Sequence, residues 1–200
     1  QMVALVSLLQ LLKAEEEARL SSDGKEYLRR LNNATLRTND MVRFLKEMER
    51  LSALQPTVEA IVLSAMAREL QGAFQQQHPR VEFTFDWQWA IPGVVADLSS
   101  FVRAVLEIGA CYLNGRHGRC LVSGSSRLVE KGTELTFCLE DQTGFADDIT
   151  PTPVRWNAQT LEQRMEVVLA REWLALSDAS VEFALPGSGG VRFAILVPQR

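Results

Sequence analysis

The stretch from Lys25 to Leu54 constrains this chain most. Leu31, Ala34, Thr38, Met41, Leu45, Met48 and Ser52 recur at alternating spacings of three and four, which is a heptad seam on one long helix. Leu28, Phe44 and Leu51 widen the apolar face beyond that seam. Upstream, Leu5, Leu8, Leu9 and Leu12 fall three and four apart before Glu15, Glu16 and Glu17, so Met2 to Leu20 reads as an amphipathic helix. Ser21, Ser22, Asp23 and Gly24 form a polar break suited to joining two antiparallel helices. Two helices with stripes this wide cannot bury them against each other alone. The expectation is a four-helix bundle made by two chains, with Leu5, Leu9, Leu31, Met41, Leu45 and Met48 at the dimer seam. The alternative is a bundle completed by the rest of the same chain.

Pro56 ends the long helix, because it lacks an amide hydrogen and disfavours helix in the residue before it. Thr57 is a candidate cap for a third helix, Val58 to about Gln77, with Ile61, Leu63, Met66, Leu70 and Phe74 inward. Val81, Phe83 and Phe85 alternate with Glu82, Thr84 and Asp86, the period of a strand. Trp87 and Trp89 continue that parity and are expected to cover the sheet edge rather than stack bases. Asp97 precedes a helix from about Leu98 to Leu113 with Phe101, Val105, Ile108 and Tyr112 in one stripe. Arg119 to Gly124 and Leu135 to Glu140 read as neighbouring strands joined through Arg127 to Gly132. A helix from about Leu161 to Leu176 follows a loop with Pro151 and Pro153. Val181 to Leu185 and Val191 to Val197 then form a hairpin around Gly187 to Gly190.

The 200 residues are 46% hydrophobic, enough for a proper core. A formal charge of −4 argues against a nucleic-acid binder, and Arg116 to Arg119 is the densest basic spot, best read as a solvated turn. No apolar run is long enough to span a bilayer, and no signal peptide is recognisable, so membrane contact is not expected. Cys111, Cys120 and Cys138 lack C-x-x-C spacing and lie in apolar runs, which fits reduced core residues in a cytoplasmic domain rather than a metal site or disulfide.

The order of elements predicts an α+β protein: a helical hairpin over 1–55, then an α/β sandwich with a mixed sheet over 56–200. This order resembles the transmitter of a sensor histidine kinase, a dimerisation and phosphotransfer hairpin followed by a GHKL-type ATP-binding domain. The run from Glu26, Tyr27 and Leu28 through Leu51 and Ser52 is similar to the family's second stem helix. Ala96 and Asp97 through Tyr112 resemble the helix carrying its asparagine box, and Leu169 to Val197 its last helix and hairpin. Leu135 to Asp141 followed by Gly144 resembles the strand and turn of its D-x-G-x-G motif, whose Asp receives the adenine amino group. Here the acid is kept and the glycine spacing is lost. Asp141 equally suits a residue that ends a strand and caps the next turn.

In an ungapped match from Asp97 the resemblance puts the box asparagines on Glu107 and Cys111, a register three residues earlier puts the metal-holding one on Ile108, and the phosphate-wrapping glycines fall near Arg164, Met165 and Glu166. Magnesium wants hard oxygen ligands, and backbone amides approach phosphates closely only where no side chain intervenes. Glu107, Cys111, Asp141 and Gly144 are therefore expected to be vestigial nucleotide positions, with no ATP, magnesium or other cofactor. The phosphoacceptor histidine would fall immediately ahead of Gln1; His78 and His117 are in a linker and a turn. Three readings follow. The first is a homodimeric scaffold that binds a response-regulator receiver domain or a partner histidine kinase through Leu12, Glu16, Tyr27 and Leu28. The second is a histidine phosphotransferase relaying phosphate through a histidine upstream of Gln1. The third is a divergent ATP-dependent kinase.

Overall fold

Ser21 starts the long helix. Its hydroxyl accepts from the Gly24 amide at 3.2 Å and its carbonyl from the Lys25 amide at 2.9 Å, so Ser22, Asp23 and Gly24 are helical. The helix therefore begins inside the expected polar break, because Ser21 is a cap and Asp23 favours the positive end of the helix dipole. The computed structural model describes residues 7–9, 11–12, 14, 19–113, 116–142, 146–147, 164–184 and 190–199. It divides into a unit of residues 1–52 and a unit of residues 53–200.

In the first unit, residues 7–9, 11, 12 and 14 are helical, and α1 spans Ser22–Ala53. The wide apolar face of α1 separates into two. Leu28, Thr35 and Leu51 are buried, whereas the seam residues Leu31, Met41 and Leu45 are 50%, 57% and 59% exposed. On the first helix Leu9 is buried and Leu8, Leu11 and Leu12 are exposed. Leu5 and Glu16 lie outside the described residues.

The second unit contains β1 (Glu59–Val62), α2 (Leu63–Gln77), β2 (Val81–Trp89), β3 (Gly93–Ala96), α3 (Leu98–Leu113), β4 (Arg116–Val129), β5 (Gly132–Asp141), β6 (Ala146–Asp147), α4 (Met165–Ala175), β7 (Ser180–Ala184) and β8 (Val191–Pro198). The main sheet runs β2-β4-β5-β8-β7, with β6 paired to the start of β4. Only β2 with β4 is parallel among these pairs, so the sheet is mixed, as expected. Helix α3 packs against α2 and α4, and α2 against β2.

Two local expectations are corrected, and a third lies partly outside the described residues. Glu59 to Val62 is a strand, not the first turn of a helix. It pairs antiparallel with β3, Ala60 opposite Val95, and β-branched Ile61 and Val62 suit that ribbon. Thr57 consequently caps no helix there. The run Arg127 to Gly132 is not a loop either: β4 and β5 continue to a tight turn at Glu130 and Lys131. Ser126 can be buried in it because its hydroxyl accepts from the amides of Ala90 and Ile91 at 2.9 and 3.3 Å. Gly132 closes the turn at φ +151, where an added Cβ would collide with the Val197 carbonyl. Finally, the last helix is described from Met165 to Ala175, and Leu161 falls outside the described residues.

The core lies between the helices and one face of the sheet. Leu135, Phe137 and Leu139 of β5 are fully buried. Phe137 stacks on Phe193 at 5.4 Å and meets Phe101 of α3 at 6.2 Å. Phe83, Phe85, Trp87 and Trp89 form a stacked ladder along β2, and the two indoles lie over Gly124 of β4, where a Cβ would come within 2.6 Å of Trp87. They therefore cover the sheet, as their parity suggests.

His78 ends α2: its amide donates to the Phe74 carbonyl at 3.0 Å and its ring lies edge-on to Phe83. Burial pushes its pKa below the ordinary value of 6.5. The folded chain thus resists a proton that the unfolded chain accepts. The contribution is intact above about pH 6.5 and is lost as the pH falls below it. Urea midpoints measured between pH 7 and pH 5 should therefore fall more steeply for the native chain than for His78→Phe.

Candidate functional site

Asp97 begins α3 and fixes where its side chains fall. Its carboxylate accepts from the Ser100 amide at 2.7 Å, an N-cap bond, and the helix then runs without interruption to Leu113. Ten and fourteen residues from that cap come Glu107, half-buried, and Cys111, 4% exposed. Strand β5 delivers Asp141 to the same end of the domain. Asp141 is the last residue of the strand, opposite Cys120 of β4, and Gly144 beyond it lies outside the described residues.

Helix α4 supplies the remaining side. Arg164 occupies its N-cap position with extended backbone and no side-chain cap. The Arg164 guanidinium instead donates to Glu166 through Nη2 at 3.1 Å and Nε at 3.3 Å. Glu166 lies in the first turn of α4, the end of a helix where an anion is favoured. A carboxylate of the chain itself therefore stands there, and a guanidinium is bound to it.

Electrostatics tie these groups together. Burial pushes the Cys111 thiol up to about 12, and Arg164, Glu166 and Arg116 all act on it. Burial likewise raises Tyr112 to about 12, with Arg116, Cys120 and Asp141 acting on that hydroxyl. Cys120 is also raised to about 12 by burial. Cys111 thus feels Arg164, Glu166 and Arg116, while Asp141 and Arg116 both act on the neighbouring Tyr112, so Arg116 is common to the two. Magnesium is held by oxygen ligands in near-octahedral geometry, and a buried, protonated thiol supplies none. Among the described residues no three His, Cys, Asp or Glu side chains cluster as a metal site.

Sequence reasoning missed Tyr112 and Arg116 as members of this neighbourhood. Arg116 is no solvated turn residue: it opens β4 opposite Asp147, and its guanidinium lies 4.3 Å from the centre of the Tyr112 ring. The Tyr-x-x-x-Arg spacing across the end of α3 was the available signal. Elsewhere, a groove of about 340 Å³ opens beside the β4–β5 turn, lined by Val129, Lys131, Glu134, Glu182, Ala194 and Leu196. Its Glu134 is already engaged by Arg127 at 2.7 and 3.0 Å.

In the first unit, Leu12 is 43% and Tyr27 67% exposed. Leu28, expected beside them on a docking face, is buried and presents no surface of its own. The adjacent Glu26 is held by Arg29 and Arg30, whose hydrogen bonds lower its pKa to about 2.

With a raised pKa and little exposure, Cys111 should be inert as a nucleophile. Iodoacetamide at neutral pH is expected to leave Cys111, Cys120 and Cys138 unmodified in the folded chain and to modify all three in urea, as read by mass spectrometry.

No protein-family model matches the sequence, and no curated protein matches it. Solved structures do match the fold. Histidine kinase AdeS of Acinetobacter baumannii is similar over 99% of this chain and 95% of its own, at 11% identity and a TM-score of 0.60. Full-length ShkA, solved in complex with AMPPNP, is similar over 98% of this chain and 42% of its own, at 12% identity and a TM-score of 0.55. The catalytic domain of histidine kinase ThkA covers 71% of this chain and 97% of its own, at 11% identity and a TM-score of 0.50. The chain has the fold of a histidine-kinase transmitter, a helical stem followed by a GHKL-like α+β domain.

Proposed function

We propose that this chain is a histidine-kinase-like signalling module that has lost ATP chemistry and acts as a dimeric scaffold in a two-component pathway. The observation that carries the proposal is Cys111, a buried thiol held protonated where the resemblance puts the magnesium-binding asparagine, beside the Arg164–Glu166 ion pair. These groups do not fit a magnesium-bound triphosphate. The thiol offers the metal no oxygen, and Glu166 places a negative charge where a phosphate would approach the α4 amides. Asp141 alone would still suit an adenine contact, which is too little to hold a nucleotide.

The scaffold role rests on the stem. Leu31, Met41 and Leu45 are half exposed in a single chain along one heptad stripe, and covering what remains of each is worth about 1–1.5 kcal/mol. A second copy of the same helix offers the matching stripe. Leu9 is already covered within one chain, and its share in the seam is correspondingly smaller. Exposed Leu12 and Tyr27 form the apolar part of the face offered to a response-regulator receiver domain or a partner histidine kinase. We place the module in the cytoplasm, where such partners act. Among the described residues no helix is long and apolar enough to cross a membrane.

Calorimetric titration of the chain with ATP, with and without magnesium, is expected to give no binding heat, and the thermal midpoint should not move at about millimolar nucleotide. Saturable binding would remove the proposal. Replacing Met41 and Leu45 together by Asp should convert the chain from dimer to monomer in sedimentation while the circular dichroism of the α+β domain is unchanged. A native chain that sediments as a monomer would refute the paired stem.

A further inference from the structure

Between the end of α1 at Ala53 and the start of β1 at Glu59 the backbone is neither helix nor strand. Thr57, inside that run, is nevertheless held: its amide donates to Asp97 Oδ2 at 2.7 Å, across 40 positions of sequence. The other oxygen of that carboxylate has a separate task. Oδ1 accepts from the Ser100 amide at 2.7 Å and the Ser99 hydroxyl at 2.8 Å, while the Asp97 amide donates to Ser177 Oγ at 2.8 Å. Asp97 is 6% exposed, and hydrogen bonds to an ionised carboxylate are the strong kind. Burial alone would raise its pKa, yet the bonds from Ser100, Ser99 and Thr57 hold it below the usual carboxylate range.

We infer that the Thr57–Asp97 hydrogen bond is a clamp: it confines the joint between the stem helix and the α+β domain to Leu54, Gln55 and Pro56, and it fastens the incoming chain to the N-cap residue of α3. Within that joint Pro56 has a fixed φ, and Gln55 is biased to extended backbone by the proline that follows it. Leu54 therefore carries most of the remaining rotation. Asp97 is a positioning residue in this arrangement, acting on the path of the linker through Oδ2 while Oδ1 caps the helix. The clamp is independent of whether the domain binds a nucleotide.

Amide exchange resolved by residue on the full chain tests it. In the native chain the Thr57 amide should exchange about tenfold or more slowly than that of Gln55, since one charge-assisted bond is worth at least that factor. Equal rates would overturn the clamp. Asp97→Ser leaves a short oxygen for the Ser100 amide but cannot reach Thr57. In that variant Thr57 should lose its protection while Val105 and Ile108 inside α3 keep theirs, and retained protection at Thr57 would overturn the assignment. With spin labels at Glu49→Cys and Glu130→Cys, the distance distribution should broaden in Asp97→Ser relative to the labelled native chain, the kept protection at Val105 and Ile108 guarding against a folding defect. An unchanged or narrower width would refute the clamp.

Discussion

The α+β domain depends on the packing around Phe137. Strand β5 is flanked by β4 and β8, and its inward residues Leu135, Phe137 and Leu139 are inaccessible to water. Phe137 alone contacts rings from β2, α3 and β8, so three elements distant in sequence are joined through one side chain. Emptying such a position in a dense interior costs about 3–5 kcal/mol, a large share of what holds a domain of this size together. The scaffold is thus secured from within by apolar contacts. Cys111, 4% exposed, belongs to that interior, whereas Asp141 ends β5 at its margin.

Much of this was legible in the chain. Helix α3 follows its stripe from Asp97 to Leu113 because one carboxylate marks the start and Phe101, Val105, Ile108 and Tyr112 repeat at helical spacing. The final hairpin was equally plain, since Val181 and Phe183 alternate against Val191, Phe193 and Ile195 around glycines. Strand β1 was not legible. Four residues carry no period, and their partner, β3, lies more than thirty positions downstream, so its pairing is a tertiary event. The β4–β5 turn was misplaced for a related reason: Ser125, Ser126 and Arg127 look like loop residues until Ser126 is seen to satisfy two backbone amides.

The candidate site was partly legible. Glu107, Cys111 and Asp141 could be placed by resemblance, and the fold brings Cys111 and Asp141 to one end of the domain with Arg164 and Glu166. What no spacing disclosed was that Arg164 and Glu166 engage each other, or that Arg116 lies over Tyr112. Both are side-chain choices made after the backbone is in place. The sequence shows which groups stand at those positions, but not that they engage one another.

Strand β2 has a consequence for how copies of this chain meet. It is nine residues long and terminates the sheet, with Glu82, Thr84, Asp86 and Gln88 on the side away from the aromatic ladder. Among the described residues β2 has a strand neighbour on one side alone, and an open edge of that length invites pairing with another chain, which charged side chains such as Glu82 and Asp86 along it disfavour. Sheet-to-sheet polymerisation is thereby discouraged by charge along the edge itself.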